Sequence, residues 1–182
     1  MALGETLITE SEIRGRVATL AREVGAALSP GDLHCAVVLK SALFFAVDLL
    51  RAIGRETSLG FVSASSYGDG TESADEVRLG LEAVGRVAGR HVLLIDDILD
   101  TGHTLSAARG AIQALRPSSL RTCVLLDKPS RRRVNIKADH VGFTIADVFV
   151  VGYGLDCAEA YRTLPDIRAY HPDASDPKER PA

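Results

Sequence analysis

"LLIDDILDTGHTL" (residues 93–105) decides how this chain is read. The apolar run Val92–Ile95 leads straight into two adjacent carboxylates, Asp96 and Asp97. Asp100 follows, and then a small, turn-prone Thr101-Gly102-His103-Thr104. A short apolar run of this kind reads as a strand buried on both faces, as in a parallel sheet. Leu105, Ala108, Ile112 and Leu115 then recur at helical spacing until Pro117. Strand, acidic turn and helix together make one βα unit, and the turn is where its chemistry belongs.

The same alternation extends outward in both directions. Thr9-Glu10-Ser11-Glu12 has the T-x-x-E form of a capping box. Ile13, Val17, Leu20, Val24 and Leu28 follow at helical spacing and stop before Pro30-Gly31. "HCAVVLK" (34–40) reads as a strand, "ALFFAVDLLRAIG" (42–54) as a helix ended by Gly54, and "TSLGFVSA" (57–64) as a strand. Residues 65–77 are small or charged around Tyr67, Gly68 and Gly70, and read as a loop; Val77, Leu79 and Leu81 alternate as a returning strand. "RTCVLL" (121–126) and "VFVVGY" (148–153) are further strands. This order predicts one α/β domain over 1–170, with a mostly parallel sheet flanked by helices on both faces. The polar, proline-rich stretch 171–182 is expected to be a disordered tail.

Composition narrows the function. The chain has 182 residues, 46% of them hydrophobic, and a net charge of −3, so bulk electrostatics favour neither nucleic acid nor an anionic membrane. Its apolar runs fall short of the roughly 20 residues a spanning helix needs. The N-terminus lacks the pattern of a signal peptide. Cys35, Cys123 and Cys157 are odd in number and show no CxxC spacing, which points to core thiols and a cytosolic location.

Ligands of open α/β sheets bind beyond the carboxyl ends of the strands. There the N-terminus of the helix after the acidic turn offers unpaired N–H groups and a positive dipole to an anion. Gly102 permits close approach, and Thr101 and Thr104 supply hydroxyls. Three carboxylates would repel a phosphate unless they serve another part of the ligand. Vicinal sugar hydroxyls and Mg²⁺ are fitting partners, so the turn points to a sugar phosphate with a metal-bound group. A purely structural alternative stays open at this level, with Asp100 or Thr101 as no more than a helix cap.

The whole stretch "VLLIDDILDTGHTL" resembles the signature of the type I phosphoribosyltransferases, which bind 5-phosphoribosyl 1-diphosphate (PRPP). "LK" (39–40), "SSYG" (65–68), "LLDKPSRR" (125–132) and "FVVGYGLD" (149–156) resemble, in the same order, the other motifs of the 6-oxopurine branch. The resemblance covers roughly residues 8–170 and implies that family's fold, with a lid hairpin at 65–77 and a small hood from the terminal segments. It implies transfer of the phosphoribosyl group from PRPP to hypoxanthine, guanine or xanthine, with Mg²⁺, in a homodimer or homotetramer. Residues 100–104 (Asp100, Thr101, Gly102, His103, Thr104) would cradle the 5-phosphate. Asp96 and Asp97 would face the ribose hydroxyls, and Asp100 would accept the proton of the base. Leu39, Lys40, Ser41, Ser66, Tyr67 and Arg162 would meet PRPP and its diphosphate. On the purine side, Lys128 would donate to O6, Phe149 would stack, the Val150 backbone would read the ring edge and Asp156 would lie close by. Asp96, Asp97 and Asp156 are the implied Mg²⁺ ligands.

Two residues depart from the family pattern: Ser41 stands where glycine is usual, and Ala146 where proline is usual. The Lys40–Ser41 peptide is nevertheless expected to turn cis with diphosphate bound. Arg131–Arg133 reads as a solvated patch, with an interface or diphosphate role as the alternative, and Glu159 as a charge near a helix start. Two rivals remain at this level: a transferase for another base, and a PRPP-sensing regulator that binds nucleic acid. The regulator would need a basic stripe. A lysine donor suits an O6 acceptor better than an amino group.

Overall fold

Thr9 starts the first helix as its sequence predicts. The Glu12 N–H donates to the Thr9 hydroxyl at 3.3 Å, and the Thr9 N–H donates to the Glu12 carboxylate at 2.8 Å. Helix α1 (Glu10–Ala27) then buries Ile13, Val17, Leu20 and Val24 along one stripe. Each such side chain contributes about 1.5–3 kcal/mol through burial. These elements come from a computed structural model that describes residues 2–28, 31–66 and 77–171. Tyr67, Gly68, Gly70 and most of the expected lid lie outside the described residues, as does the tail from 172.

Strand β1 (Ala2–Ile8) precedes α1. The chain continues through β2 (Leu33–Leu39), α2 (Leu43–Ile53), β3 (Ser58–Ser66) and β4 (Val77–Gly80). Strand β5 (His91–Leu99), α3 (His103–Ala114), β6 (Ser119–Asp127), a 3₁₀ turn (Pro129–Arg131) and β7 (His140–Thr144) follow, then β8 (Val150–Val151) and β9 (Ile167–His171). The main sheet runs β4-β3-β2-β5-β6-β7. All of its pairs are parallel except β3–β4 at the edge.

Side-chain alternation along the parallel strands builds two cores. Cys35, Val37, Leu93, Ile95, Cys123 and Leu125 pack with α1 and α2 on one face. Ala36, Val38, Val92, Leu94 and Val124 pack with Leu105, Ala108 and Ile112 of α3 on the other. Helices therefore cover both faces, as expected. Burial pushes the Cys35 thiol up to about 12 and raises Cys123 as well, so both are core thiols.

The terminal segments form a small hood, as the resemblance implies, but its strands depart from the sequence reading in their bounds. Strands β1, β9 and β8 form a separate antiparallel sheet in that order. The stretch 148–153 was expected to be a strand, but only Val150–Val151 forms one, in this second sheet. Gly152 at φ +100 and Tyr153 at φ +49 turn the chain away from extension. His171, placed in the expected tail, is the last residue of β9 and pairs with Ala2.

The crossover from β2 through α2 leads to β3, and the crossover from β5 through α3 leads to β6, in opposite directions across the sheet. The carboxyl ends of β2 and β5 thus meet at a topological switch point, where such sheets place their ligands. For the fold itself, Thr9→Ala should lower the unfolding free energy by about 1 kcal/mol by removing the cap. Urea denaturation should show the lower midpoint with an unchanged slope.

Candidate active site

Strand β5 does not stop before the acids; its pairing with β6 continues through Asp96 and Ile98 to Leu99. Asp96 is buried, and its carboxylate accepts the Asp97 N–H at 3.0 Å. Burial, followed by the charge of Asp97, pushes the Asp96 carboxyl well above the ordinary carboxylate range. Asp97 is half-buried; burial raises it too, against hydrogen bonding from Asp96 and the field of Arg162. The pair lines a cavity of about 240 Å³ together with Leu39, Asp100, Thr101 and Thr104.

The cap of α3 is Gly102, at φ +92, so neither Asp100 nor Thr101 serves as a helix cap. No acidic residue occupies the first turn of this helix. Its N–H groups open towards the same cavity and suit an anion. Glycine is required here for space as well as dihedral angle. An added Cβ would lie 2.7 Å from Ile136 Cγ2 and 2.8 Å from Val134 Cγ2.

Those contacts belong to the segment after β6, which is bonded to the acidic turn throughout. The Lys128 N–H donates to Leu99 O at 3.0 Å, and the Arg133 N–H to Thr101 O at 2.9 Å. Arg132 Nη1 donates to Leu99 O at 2.9 Å and to Asp100 O, while its Nη2 pairs with Asp127. Arg131 Nε lies 3.1 Å from Asp100 Oδ1 and 3.7 Å from Asp147 Oδ1. Arg132 is therefore a half-buried structural partner of the turn, while Arg131 pairs with Asp100 and Asp147 from an exposed position and Arg133 is exposed, as a solvated patch would be. Lys128 is buried beside them, and burial pulls its ammonium below the ordinary lysine range against the fields of Asp100 and Asp147.

Across the cavity, the cis peptide falls at Leu39–Lys40 and not at Lys40–Ser41. Leu39 is the last residue of β2 still paired with β3, so the change of direction comes directly at the strand end. Ser41 Oγ accepts from Arg162 Nη1 at 2.8 Å. Arg162 Nη1 also lies 2.9 Å from Asp156 Oδ1, and Asp156 Oδ2 accepts the Glu159 N–H at 2.8 Å. Gly154, at φ +101, lets this loop lie on the Ser41 carbonyl, where a side chain would collide.

Phe149 is half-buried, with its ring 5.9 Å from that of Tyr170. Val150 is buried and begins β8. Ser66 ends β3; Tyr67 lies outside the described residues. The structure thus brings Leu39–Ser41, Asp96, Asp97, Asp100–Thr104, Asp156 and Arg162 to one end of the sheet. No cluster of three metal-ligating side chains occurs among the described residues. A larger groove of about 570 Å³ lies between α1, α2 and residues 163–165. Its charges are already paired, Arg14 with Glu10 and Asp48 with Tyr153.

Comparison with known proteins agrees with this geometry. The model of the phosphoribosyl transferase domain matches residues 12–158. The hypoxanthine phosphoribosyltransferase of Escherichia coli (strain K12) is 40% identical over 165 residues, 90% of this chain and 93% of that one. Its counterpart in Haemophilus influenzae is 38% identical over 163 residues, 88% of this chain and 91% of that one. A crystal structure of a hypoxanthine-guanine phosphoribosyltransferase from Bacillus anthracis superposes with a TM-score of 0.88 at 39% identity, covering 93% of this chain and 100% of that one. The chain belongs to the phosphoribosyltransferase family, in its hypoxanthine branch.

Within this phosphoribosyltransferase, sequence reasoning missed Arg132, Asp127 and Glu159. A basic triplet after Lys128-Pro129 gives no sign of which arginine points inward. Only the register of β6 beside β5 places Asp127 next to Leu99 and fixes the partner of Arg132. Arg132→Ala should cost about 1–3 kcal/mol in stability, because carbonyls and a carboxylate lose their donor. Arg132→Lys should restore only part of it, since lysine lacks the planar fork. Full recovery of the urea midpoint by lysine would show that charge alone suffices.

Proposed function

We propose that this enzyme transfers the 5-phosphoribosyl group of PRPP to a 6-oxopurine, giving a nucleoside monophosphate and diphosphate. The observation that carries this reading is the hydrogen-bonded union of two segments. The turn built to hold a phosphate and the backbone of Lys128 are joined at Leu99. A phosphate cradle and a buried cationic donor suited to a purine O6 are thus fixed relative to each other.

The placement supports the roles that the family resemblance implies. Residues 100–104 hold the 5-phosphate, Asp96 and Asp97 face the ribose hydroxyls, and Lys40, Ser41 and Arg162 hold the diphosphate. Phe149 offers its half-buried ring to the base, and the Val150 backbone its polar groups. Displacement at C1 of the ribose develops positive charge on the sugar and negative charge on the leaving group. Arg162 and Lys40 stabilise the latter. Asp100 accepts the proton that the base loses, with Arg131 fixing one of its oxygens.

Mg²⁺ fits the donor set present. It is usually held by one or two carboxylates together with substrate oxygens and waters, so no closed protein cage is required. Asp96 and Asp97 would hold it, and a cation beside Asp96 would relieve the burial and repulsion that raise its proton affinity. When bound, it supplies charge neutralisation for the leaving group. Asp156 fits this role less well, because each of its oxygens already has a partner in Arg162 and the Glu159 N–H.

An assay of hypoxanthine, guanine and xanthine with PRPP and Mg²⁺, followed by absorbance, tests the reading directly; no turnover of any of them would reject it. Asp100→Asn should lower kcat roughly 10²–10⁴-fold while PRPP binding changes little. Near-normal turnover at saturation would remove Asp100 as proton acceptor. Lys128→Ala should weaken use of the purine by about 1–3 kcal/mol and spare PRPP. Equal weakening of both substrates, read from steady-state kinetics, would assign Lys128 to another role.

A further inference from the structure

Two cations at the mouth of the site are already engaged by one carboxylate. Glu159 Oε1 lies 3.0 Å from Lys40 Nζ, and Glu159 Oε2 lies 3.2 Å from Arg162 Nη2. The side chain therefore spans two loops, one following β2 and one following β8. The remaining contacts of Arg162 face inward, with Nη1 on Ser41 Oγ, Gly154 O and Asp156 Oδ1. Glu159 takes the outward nitrogen. Hydrogen bonds from Lys40 and then Arg162 hold the Glu159 carboxyl below its ordinary range, so it is ionised at neutral pH.

This carboxylate does little for the fold. It is 65% exposed, as is most of Lys40, and exposed ion pairs contribute little to stability. The tie between Glu159 and Asp156 runs through the backbone N–H and survives loss of the side chain. What Glu159 does instead is present two anionic oxygens to two cations on facing loops. A diphosphate group would make that same pattern of contacts, with more charge and more acceptors.

We propose that Glu159 is the resident counter-ion of the diphosphate subsite. It holds Lys40 and Arg162 while the subsite is empty, PRPP displaces it on binding, and it thereby sets the affinity for PRPP. This rests on the phosphoribosyl-transfer reading above. The exchange is favourable because a multiply charged ligand replaces a single carboxylate. It is also cheap, because the Glu159 carboxylate is exposed in both of the broken pairs. Glu159 lowers the affinity for every ligand that carries a diphosphate and leaves that for the base unchanged. It also returns to the cations as diphosphate departs, which eases release of that product.

The test uses the full-length protein and its Glu159→Gln and Glu159→Ala variants. Inorganic diphosphate with Mg²⁺ is titrated by calorimetry, and KM is measured for PRPP and for hypoxanthine. In both variants the Kd of diphosphate and the KM of PRPP should fall roughly two- to twentyfold, the worth of two exposed pairs. The gap should narrow as added salt screens the charges. The KM of hypoxanthine and the thermal midpoint should not move. A residue with a merely structural role would weaken binding on removal, never strengthen it. Unchanged or weaker binding of both diphosphate and PRPP, in variants of an active wild type, overturns the inference and leaves the transfer reaction intact. A wild type that neither binds PRPP nor turns over any purine overturns the reading beneath it.

Discussion

Arg132 carries the constraint on which the site depends. Beyond the carboxyl edge of a parallel sheet no ladder remains to hold neighbouring strands in register. The ends of β5 and β6 would be free to part there, and with them the phosphate turn and the segment bearing Lys128. One planar guanidinium bridges that gap, meeting the carbonyls of Leu99 and Asp100 on one side and Asp127 on the other. The bond from Lys128 N–H to Leu99 and the close packing of Gly102 on Val134 and Ile136 complete the junction. Both ends of a bisubstrate reaction are then measured from one rigid body. That geometry matters because small misplacements of reacting groups cost large factors in rate.

The same region shows how several acids coexist with an anion site. Four of the carboxylates have separate partners. Asp96 accepts the Asp97 N–H, Asp100 is held by Arg131, Asp127 by Arg132 and Asp156 by Arg162. None occupies the first turn of α3, which leaves that helix end free of negative charge. A chain with a net charge of −3 can thus gather phosphate locally, because the sign of the field is set within a few ångströms and not by the total. Of the basic triplet, Arg132 is committed to this arrangement, while Arg131 and Arg133 stay exposed.

How much of this was legible in the sequence depended on burial. The runs at 34–40, 91–95 and 121–126 are largely apolar because parallel strands are covered on both sides, and they stood out at once. Strands β1, β7 and β9 did not. They carry Glu5, Thr6, Gly142 and Arg168 among their apolar residues, and β1 and β7 lie at sheet edges, while β9 sits between β1 and β8. The run 148–153 misled because its glycine and tyrosine adopt positive φ, which apolar patterning does not encode. At the site, the acidic turn suggested an anion and a sugar from its residues alone. The purine side came through resemblance, since Lys128 and Phe149 look in isolation like a loop cation and a core ring. Arg132 and Glu159 were hidden for a different reason: one partner of each is distant in the chain, Leu99 33 residues from Arg132 and Lys40 119 residues from Glu159, and only the register and the loop crossing bring them together.

A site for a multiply charged ligand faces a problem when it is empty. Cations gathered on separate loops repel one another, and water screens them only in part. Filling the site permanently with acids would cure the repulsion and abolish binding. The loops after β2 and β8 show an intermediate solution. Asp156 is tied from both oxygens and stays, holding the inner face of Arg162 in place. Glu159, on the same loop and three residues further on, meets the outer face and Lys40 through an exposed side chain that can leave without disturbing the fold. A fixed acid that positions the arginine and a removable acid that neutralises it divide the two duties. The division follows from exposure, because a buried ion pair is costly to break while a solvated one is readily exchanged.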